Sequence, residues 1–477
     1  MYPLIKEESI MEKPNIENLF IIDLFNLHPS DVEAITYSRE KNGDSNFHIT
    51  LQRIDRPCPS CGCENPEIKE YKEKHVKHSV LSDRGCIVTY RARRFRCPIC
   101  GRTYYEHNPF VFKSMKISTK VVINVLEQLK DFNETFSSVA RRSSISPTSV
   151  CSIFDSHVQL SRNKLPQALN IDEVYAFKSK SSKYVCVLLD FETQEPIDIL
   201  PERKYEYLSR YFGNIPLEER KGVKVVCSDM YETYRIITKR FFPNSVHSVD
   251  VFHISQEYHR QMNAVRINIM KGYSKKANEE ESDAYYLLKH FNWLLFKDND
   301  ARDSQGEIFD VNREKKYNVH FKEYLNFYDL RQKILDLDTK LTEVYDLKLE
   351  LRDFYRKSTY QDASKNLNNL IQLFLMSSIE EMNAFGHTLV RWKEEIVNSF
   401  IIIKYDYKIQ KDDGTVAVHN RKINNSIIEN RNKVIKCIKH NANGYTNWFR
   451  FRNRVLYVLR KDATFSLEPL EIPWKKQ

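Results

Sequence analysis

The 477 residues carry 74 Lys and Arg against 64 Asp and Glu, a net charge of +10, and 41% of them are hydrophobic. That content builds sizeable cores and excludes a disordered tail, and the length suggests about three domains. No apolar run reaches the roughly 18 residues of a membrane-spanning helix. The opening MYPLIKEESIMEKPN has no apolar stretch before a small-residue cleavage site, so no secretory signal is expected.

The basic excess hints at a polyanionic partner. The ten cysteines, with no export signal, read as reduced thiols or metal ligands rather than disulfides. Fourteen of the sixteen prolines lie at or before Pro243, and the next is Pro469. The long stretch between them lacks the strongest helix breaker and is expected to be mostly helical.

In chain order, residues 1–50 read as a short leader. Next come two C-x-x-C pairs, CPSCG at Cys58 and Cys61 and CPICG at Cys97 and Cys100. Each pair points two thiolates at one tetrahedral ion, so a structural Cys₄ zinc site is expected. Gly62 and Gly101 follow the pairs, where a tight knuckle needs positive φ. Cys63, Cys86, His75, His78 and His107 are spare candidate ligands. Residues 84–102 hold six arginines and no acid. Part of that charge balances four thiolates. The rest suits phosphate, which makes Arg91, Arg93, Arg94 and Arg96 candidate DNA contacts.

FSSVARRSSISPTSVCSIF then fits two helices joined by a tight turn. Ser146 is a natural N-cap and Pro147 a natural first helical residue. Ser144 takes the turn position that many such motifs give to glycine. Thr148, Ser149 and Ser152 fall on the outer face of the second helix, where a recognition helix meets base edges. An ordinary helical hairpin is the plainer alternative.

ALNIDEVYAF reads as a strand with Asp172 and Glu173 on opposite faces. KYVCVLLDFETQEPIDIL reads as two more strands, VKVVCSD as a fourth ending at Asp229, and VHSVDVFH as a fifth ending near Asp250. Three strands, a helix, a strand, a helix and a strand is the order of a ribonuclease-H-like core. In it the strands of Asp172 and Asp229 are neighbours, so the two carboxylates can share a metal.

The block 419–460 holds ten Lys and Arg and one acid, Glu429. At helical spacing, Asn425, Glu429, Asn432, Lys433, Lys436 and His440 share one face. Glu429 is then either a metal ligand beside phosphate-binding lysines or a solvated partner of Lys433. Arg450, Arg452 and Arg454 stand near Tyr445 and Trp448. A tyrosine-recombinase reading of that cluster leaves the acids unexplained, and phosphate contact is the better fit.

With these motifs in this order, the chain resembles the DDE transposases of the ISL-three insertion-sequence family over roughly residues 55–460. The CPxCG pairs, the helix-turn-helix, IDE at 171–173, SDMYETY at 228–234, VDVFH at 249–253 and NSIIENRNKVIKCIKHNANGYTNWFRFRNRVL carry the resemblance. It implies a multidomain α+β protein with an N-terminal Cys₄ zinc module and a helix-turn-helix. A ribonuclease-H-like α/β core follows, interrupted by a mostly helical insertion. The implied boundaries are leader 1–50, zinc-binding domain 51–112, helix-turn-helix 113–164, core 165–272, insertion 273–418, Glu-bearing helix with basic part 419–465, and tail 466–477.

The resemblance also implies that Asp172, Asp229 and Glu429 hold two Mg²⁺ or Mn²⁺ ions, with Asp250 and His253 in support and Zn²⁺ in the Cys site. The implied partners are double-stranded DNA, as terminal inverted repeats and target, and at least a second copy of the chain to pair two ends. No membrane is involved, and the implied location is the bacterial cytoplasm at the nucleoid. The expected activity is cleavage and joining of the element's own DNA ends. The alternatives are a non-catalytic DNA-binding regulator derived from such an enzyme and a nuclease that cuts without joining.

Overall fold

The computed structural model describes residues 22, 25, 27–81, 84–112, 115–179, 182–273, 282–298, 301–302, 308–410 and 416–472. It is a mixed α+β protein of several packed units.

The first unit is a five-stranded sheet. Its strands are β1 (Val32–Arg39), β2 (Ser45–Leu51), β3 (Glu67–Leu81), β4 (Arg84–Arg96) and β5 (Thr103–Tyr105), in the order β1-β2-β4-β3 with β5 on β4. The expected leader is therefore not a separate piece. Its alternating segments VEAITYSR and SNFHITL pair with each other, and β2 lies parallel to β4. Ile49, Val76, Val88 and Tyr90 form the core of this unit, with Phe25 and Phe110 packed against them. The leader residues 1–21 lie outside the described residues.

Three helices follow: α1 (Thr119–Gln128), α2 (Phe136–Arg142) and α3 (Pro147–His157). Ser146 caps α3 as its sequence suggests, accepting from the Ser149 amide, with Pro147 in the first turn. Ser144 adopts φ +52°, the left-handed conformation that favours glycine at this turn. Val139, Ala140, Ile145, Val150 and Ile153 all turn inward with residues of α1.

The second sheet holds β6 (Ala168–Tyr175), β7 (Tyr184–Asp190), β8 (Pro196–Leu200), β9 (Val225–Ser228) and β10 (Val246–Val249), in the order β10-β9-β6-β7-β8. β6, β7 and β8 pair antiparallel, while β9 runs parallel to β6 and β10 parallel to β9. Between β8 and β10 lie α4 (Tyr205–Gly213), α5 (Leu217–Lys221) and α6 (Glu232–Phe241). The period-two pattern of β6 and β7 sends Leu169, Ile171, Cys186 and Leu188 to the side of α4 and α6. The alternate residues Val174, Val185, Val187 and Leu189 pack on the opposite side.

After α7 (Val251–Gly272) comes the block expected to be helical. It contains α8 (Asp283–His290), α9 (Trp293–Phe296), α10 (Phe327–Leu335), α11 (Thr339–Lys357), α12 (Ala363–Met376), α13 (Glu380–Arg391) and α14 (Lys393–Asn398). One apolar core joins these helices to α7, with Trp392 inside it and Trp293 against it. The block also carries a hairpin that the sequence reading missed, β11 (Lys316–Asn318) with β12 (Glu323–Leu325). A second hairpin, β13 (Ile402–Gln410) with β14 (Val416–Lys422), leads back to the second sheet.

The last helices, α15 (Ser426–Asn441) and α16 (Trp448–Leu459), cover the free face of that sheet. Ile427, Ile428, Ile435 and Ile438 of α15 and Phe451, Val455 and Leu459 of α16 bury against β6 and β7. The basic residues of α16 then need correction, because they hold units of the fold together rather than facing DNA. Arg454 is 0% exposed, and its guanidinium donates to the backbone carbonyls of Leu129, Asp131 and Glu134 beyond the end of α1. Arg450 pairs with buried Asp155 of α3 at 2.6 Å. Arg452 pairs with Asp198 of β8 at 2.7 Å. Helix termini leave carbonyls without intrahelical partners, and a guanidinium can satisfy several at once.

Arg454→Leu is expected to lower stability by about 3 kcal/mol or more, since each orphaned carbonyl costs about 1–3 kcal/mol. Thermal denaturation measures this. Unchanged stability with weakened DNA binding would restore the phosphate-contact role.

Candidate active site and zinc centre

Asp172 stands on β6 facing α15 and is 7% exposed. Its Oδ1 accepts the Glu173 amide at 2.7 Å, and its Oδ2 accepts Asn432 Nδ2 of α15 at 2.8 Å. Asp229 follows β9, and its Oδ1 is buried with no partner. Glu429 lies in the first turn of α15, half-buried and three residues before Asn432. Lys433 does not pair with it: that ammonium reaches Asn430 Oδ1 at 3.4 Å instead.

A line of amides joins α15 to the sheet. Asn170 Nδ2 of β6 donates to Asn425 Oδ1 and to the Asn424 carbonyl, both at 2.7 Å. The Asn425 amide donates to Asp250 Oδ1 at 3.2 Å, and the Asp250 amide to the Ser228 carbonyl at 2.9 Å. Asp250 thus ties the start of α7 to both β9 and α15. His253, one turn into α7, lines a cleft of about 710 Å³ with Asp229, Gln256, Asn263 and Phe296.

These positions fix the electrostatics. Burial pushes the Asp172 carboxyl up to about 7; the Glu173 amide opposes this, and the charges of Asp229, Glu173 and Glu429 add to it. Burial, then the charge of Glu173, pushes Asp229 up to about 6, against His253 and Arg203. Burial also raises Asp250, against the Asn425 amide. Glu173 points to the far face of the sheet and pairs with Arg203. The acids feel one another's charge, yet they do not gather as tightly as the cysteines do. Among the described residues, the four cysteines are the group of candidate ligands whose atoms all lie within 4.8 Å of one another.

A buried carboxylate oxygen with no donor, as at Asp229, together with repulsion among neighbouring carboxylates, suits divalent cations, which neutralise them. Asp172 is buried and Asp229 half-buried with one oxygen free of donors, while Glu429 stands half-buried on the helix that Asn432 ties to Asp172.

In the cysteine group, Cys58 Sγ lies 3.6 Å from Cys100 Sγ and Cys61 Sγ 3.4 Å from Cys97 Sγ. Zn–S bonds of about 2.3 Å set a tetrahedral edge near 3.8 Å, so the four thiols fit zinc. Gly62 (φ +73°) and Gly101 (φ +69°) turn the two knuckles, and their amides return to the Cys58 and Cys97 carbonyls at 2.9 and 3.0 Å. Cys63, Cys86, His75, His78 and His107 are not members of the group. His75 bonds Thr89, and His78 bonds Ser118.

The candidate DNA contacts divide. Thr148 and Ser152 of α3 are exposed, and Ser149 is half-buried against the cap at Ser146. Lys433 and Lys436 of α15 are exposed, as are Arg96 and Arg91, the latter 4.3 Å from the Tyr71 ring. Arg94 pairs with Glu70 at 2.6 Å. Arg93 is a correction: it is 3% exposed, pairs with Glu33 and Glu106, and donates to the Leu51 carbonyl. It points to the buried side of a β-strand, so it fastens β1 and the Glu106 segment to β4.

The sequence reading also missed the work of Asn170, Asn425 and Asn432. The last two were legible as neighbours of Glu429 on one helical face. Asn170, two residues before Asp172 on the same strand face, carried no such signal.

The raised carboxyls have a signed consequence. Below the unfolded value of about 4 both are protonated in either state; above the folded values of about 7 and 6 the fold must hold buried charge. Metal-free protein is therefore expected to lose stability as pH rises from about 4 to 7. In chelator, Asp172→Asn is expected to raise Tm at pH 8 and to change it little at pH 4. Equal shifts at both pH values would exclude the charge effect.

A family model described as transposase matches residues 169–404, a span that includes Asp172, Asp229, Asp250 and His253 and stops before Glu429. The transposase for insertion sequence element IS1001 of Bordetella parapertussis is 22% identical over 417 residues, covering 86% of this chain and 88% of that protein.

Proposed function

The chain belongs to the ISL-three family of DDE transposases, and from that premise we propose that it cuts and joins the DNA ends of its own insertion sequence. The carrying observation is that β6, bearing Asp172, pairs directly with β9, which leads to Asp229, and that Asn432 on the helix of Glu429 bonds Asp172. In this reading the sheet β10-β9-β6-β7-β8 is a ribonuclease-H-like core. Its strand order and its antiparallel-then-parallel pairing support that assignment. Residues 273–418, following α7, are an insertion into it.

Asp172, Asp229 and Glu429 would hold two divalent ions, Mg²⁺ or Mn²⁺. Bound there, such ions supply Lewis-acid stabilisation of charge on the attacking and leaving oxygens of a phosphodiester. The protein's part is to hold the three carboxylates in place. Asn432 and the Glu173 amide orient Asp172; Asp250 secures the start of α15 through the Asn425 amide. His253 lines the same cleft as Asp229. No protein nucleophile is needed: water is the first attacking group, and a freed 3′-hydroxyl is the second.

The zinc module and α3 would bind the terminal inverted repeats, with Thr148 and Ser152 towards base edges and Arg91 and Arg96 towards phosphate. Lys433 and Lys436, exposed one and two turns beyond Glu429, would take phosphates beside the acids. Pairing two ends requires at least two copies of the chain on DNA. No described helix is long and apolar enough to cross a membrane.

Asp229→Asn is expected to abolish Mg²⁺-dependent cleavage and strand transfer while end binding persists, measured with labelled terminal-repeat duplex. Retained transfer would refute the catalytic reading. Cleavage without joining by the unmodified protein would favour the nuclease, and absence of both, with tight binding, the regulator.

A further inference from the structure

The cleft beside Asp229, about 710 Å³ in volume, runs along α7. That helix is two-sided. Ile254, Tyr258, Met262 and Val265 turn into the apolar core of the helical block. His253, Gln256, Arg260 and Asn263 follow one another at spacings of three and four residues, so they share another stripe, and all four line the cleft. Phe296 of α9 adds an apolar wall, its ring 5.5 Å from that of His259.

The stripe has the chemistry of a nucleic-acid contact. Glu257, which also lines the cleft, is engaged internally: it accepts Arg260 Nε at 2.8 Å, Arg260 Nη2 at 2.5 Å and Gln261 Nε2 at 2.8 Å. Arg260 keeps its Nη1 donors, on a side chain that is 70% exposed. Asn263 Oδ1 accepts Arg266 Nε at 2.9 Å, which leaves its Nδ2 to donate. Gln256 is exposed, and among the described residues its carboxamide has no hydrogen-bond partner. The length fits as well. From His253 to Asn263 a helix rises about 15 Å. One strand of duplex DNA advances roughly 3.4 Å per nucleotide, so the stripe covers about four nucleotides. Because Asp229 lines the same cleft, a strand with a phosphate at Asp229 can continue along this stripe.

We propose that α7 guides the DNA strand at the acids: Arg260 contacts a backbone phosphate, and Gln256 reads the edge of a base within about four nucleotides of the phosphate held there. A carboxamide offers a donor and an acceptor together, the pattern that adenine matches with its N7 and N6. The chain then carries a base preference next to the cut, beyond that of the zinc module and α3. The inference rests on the DNA-processing function above and adds which side chains read the DNA beside the acids.

The test is selection from a library of terminal-repeat duplexes in which about four base pairs on each side of the element's end are randomised. Binding is measured without added divalent metal, so that it does not depend on catalysis, and the bound fraction is sequenced. The unmodified protein is expected to enrich adenine at one of these positions by on the order of tenfold. Gln256→Ala should remove that enrichment while binding to the repeat persists. Gln256→Glu, which keeps the shape and only accepts, should move the preference to cytosine, whose N4 amino group donates. A purely structural role for Gln256 would not move the preferred base. Arg260→Ala should weaken binding to every member alike and lower its salt dependence. An adenine preference that survives both Gln256 variants, or loss of all repeat binding with Gln256→Ala, would overturn the reading by Gln256. Unchanged salt dependence with Arg260→Ala would overturn the phosphate contact. If the unmodified protein binds no member, the DNA-processing function falls as well. If it binds all members alike, only the guide falls.

Discussion

The hydrogen bond from Asn432 to Asp172 is the contact on which the site depends. It joins a helix near the end of the chain to the first strand of the second sheet, with Glu429 three residues before Asn432 on that helix. The Asn170–Asn425 bond repeats the attachment about two turns towards the start of the helix. Buried amide bonds of this kind are directional, whereas the isoleucines beneath α15 fix only its face. Together they set both the seating of the helix and its rotation.

The same logic explains how cations are spent. A net charge of +10 invites a count of phosphate contacts, but many arginines are internal fasteners. Arg93, Arg450, Arg452 and Arg454 each bridge elements distant in sequence and leave little charge for solvent. Arg suits this use because a planar guanidinium can satisfy several acceptors at once. Among the candidate phosphate contacts, Arg91 and Arg96 on the cysteine-bearing unit and Lys433 and Lys436 on α15 stay exposed.

Much of this was legible in the sequence. The two CPxCG pairs require only local knuckle geometry, and the four thiols converge as their spacing implies. Ser146 and Pro147 mark the start of α3 because capping is local chemistry. Asp172 and Asp229 follow from period-two strands and their order. Hidden were features decided by partners far away in the chain. Arg454 lies in a basic run, and nothing local reveals that three carbonyls beyond α1 await it. The segments VEAITYSR and SNFHITL alternate as strands do, yet their inclusion in the first sheet is set by β4, some 40 residues later. The hairpin β11–β12 is short and sits in a proline-free stretch, where composition favours helix.

The account stands on Asp172, Asp229 and Glu429 acting as one metal site. The most direct measurement is the anomalous scattering of crystals grown with Mn²⁺. The account requires manganese density between these three carboxylates, in addition to zinc at the four cysteines. Manganese elsewhere, or bound by Asp172 and Asp229 with Glu429 turned away, would contradict it.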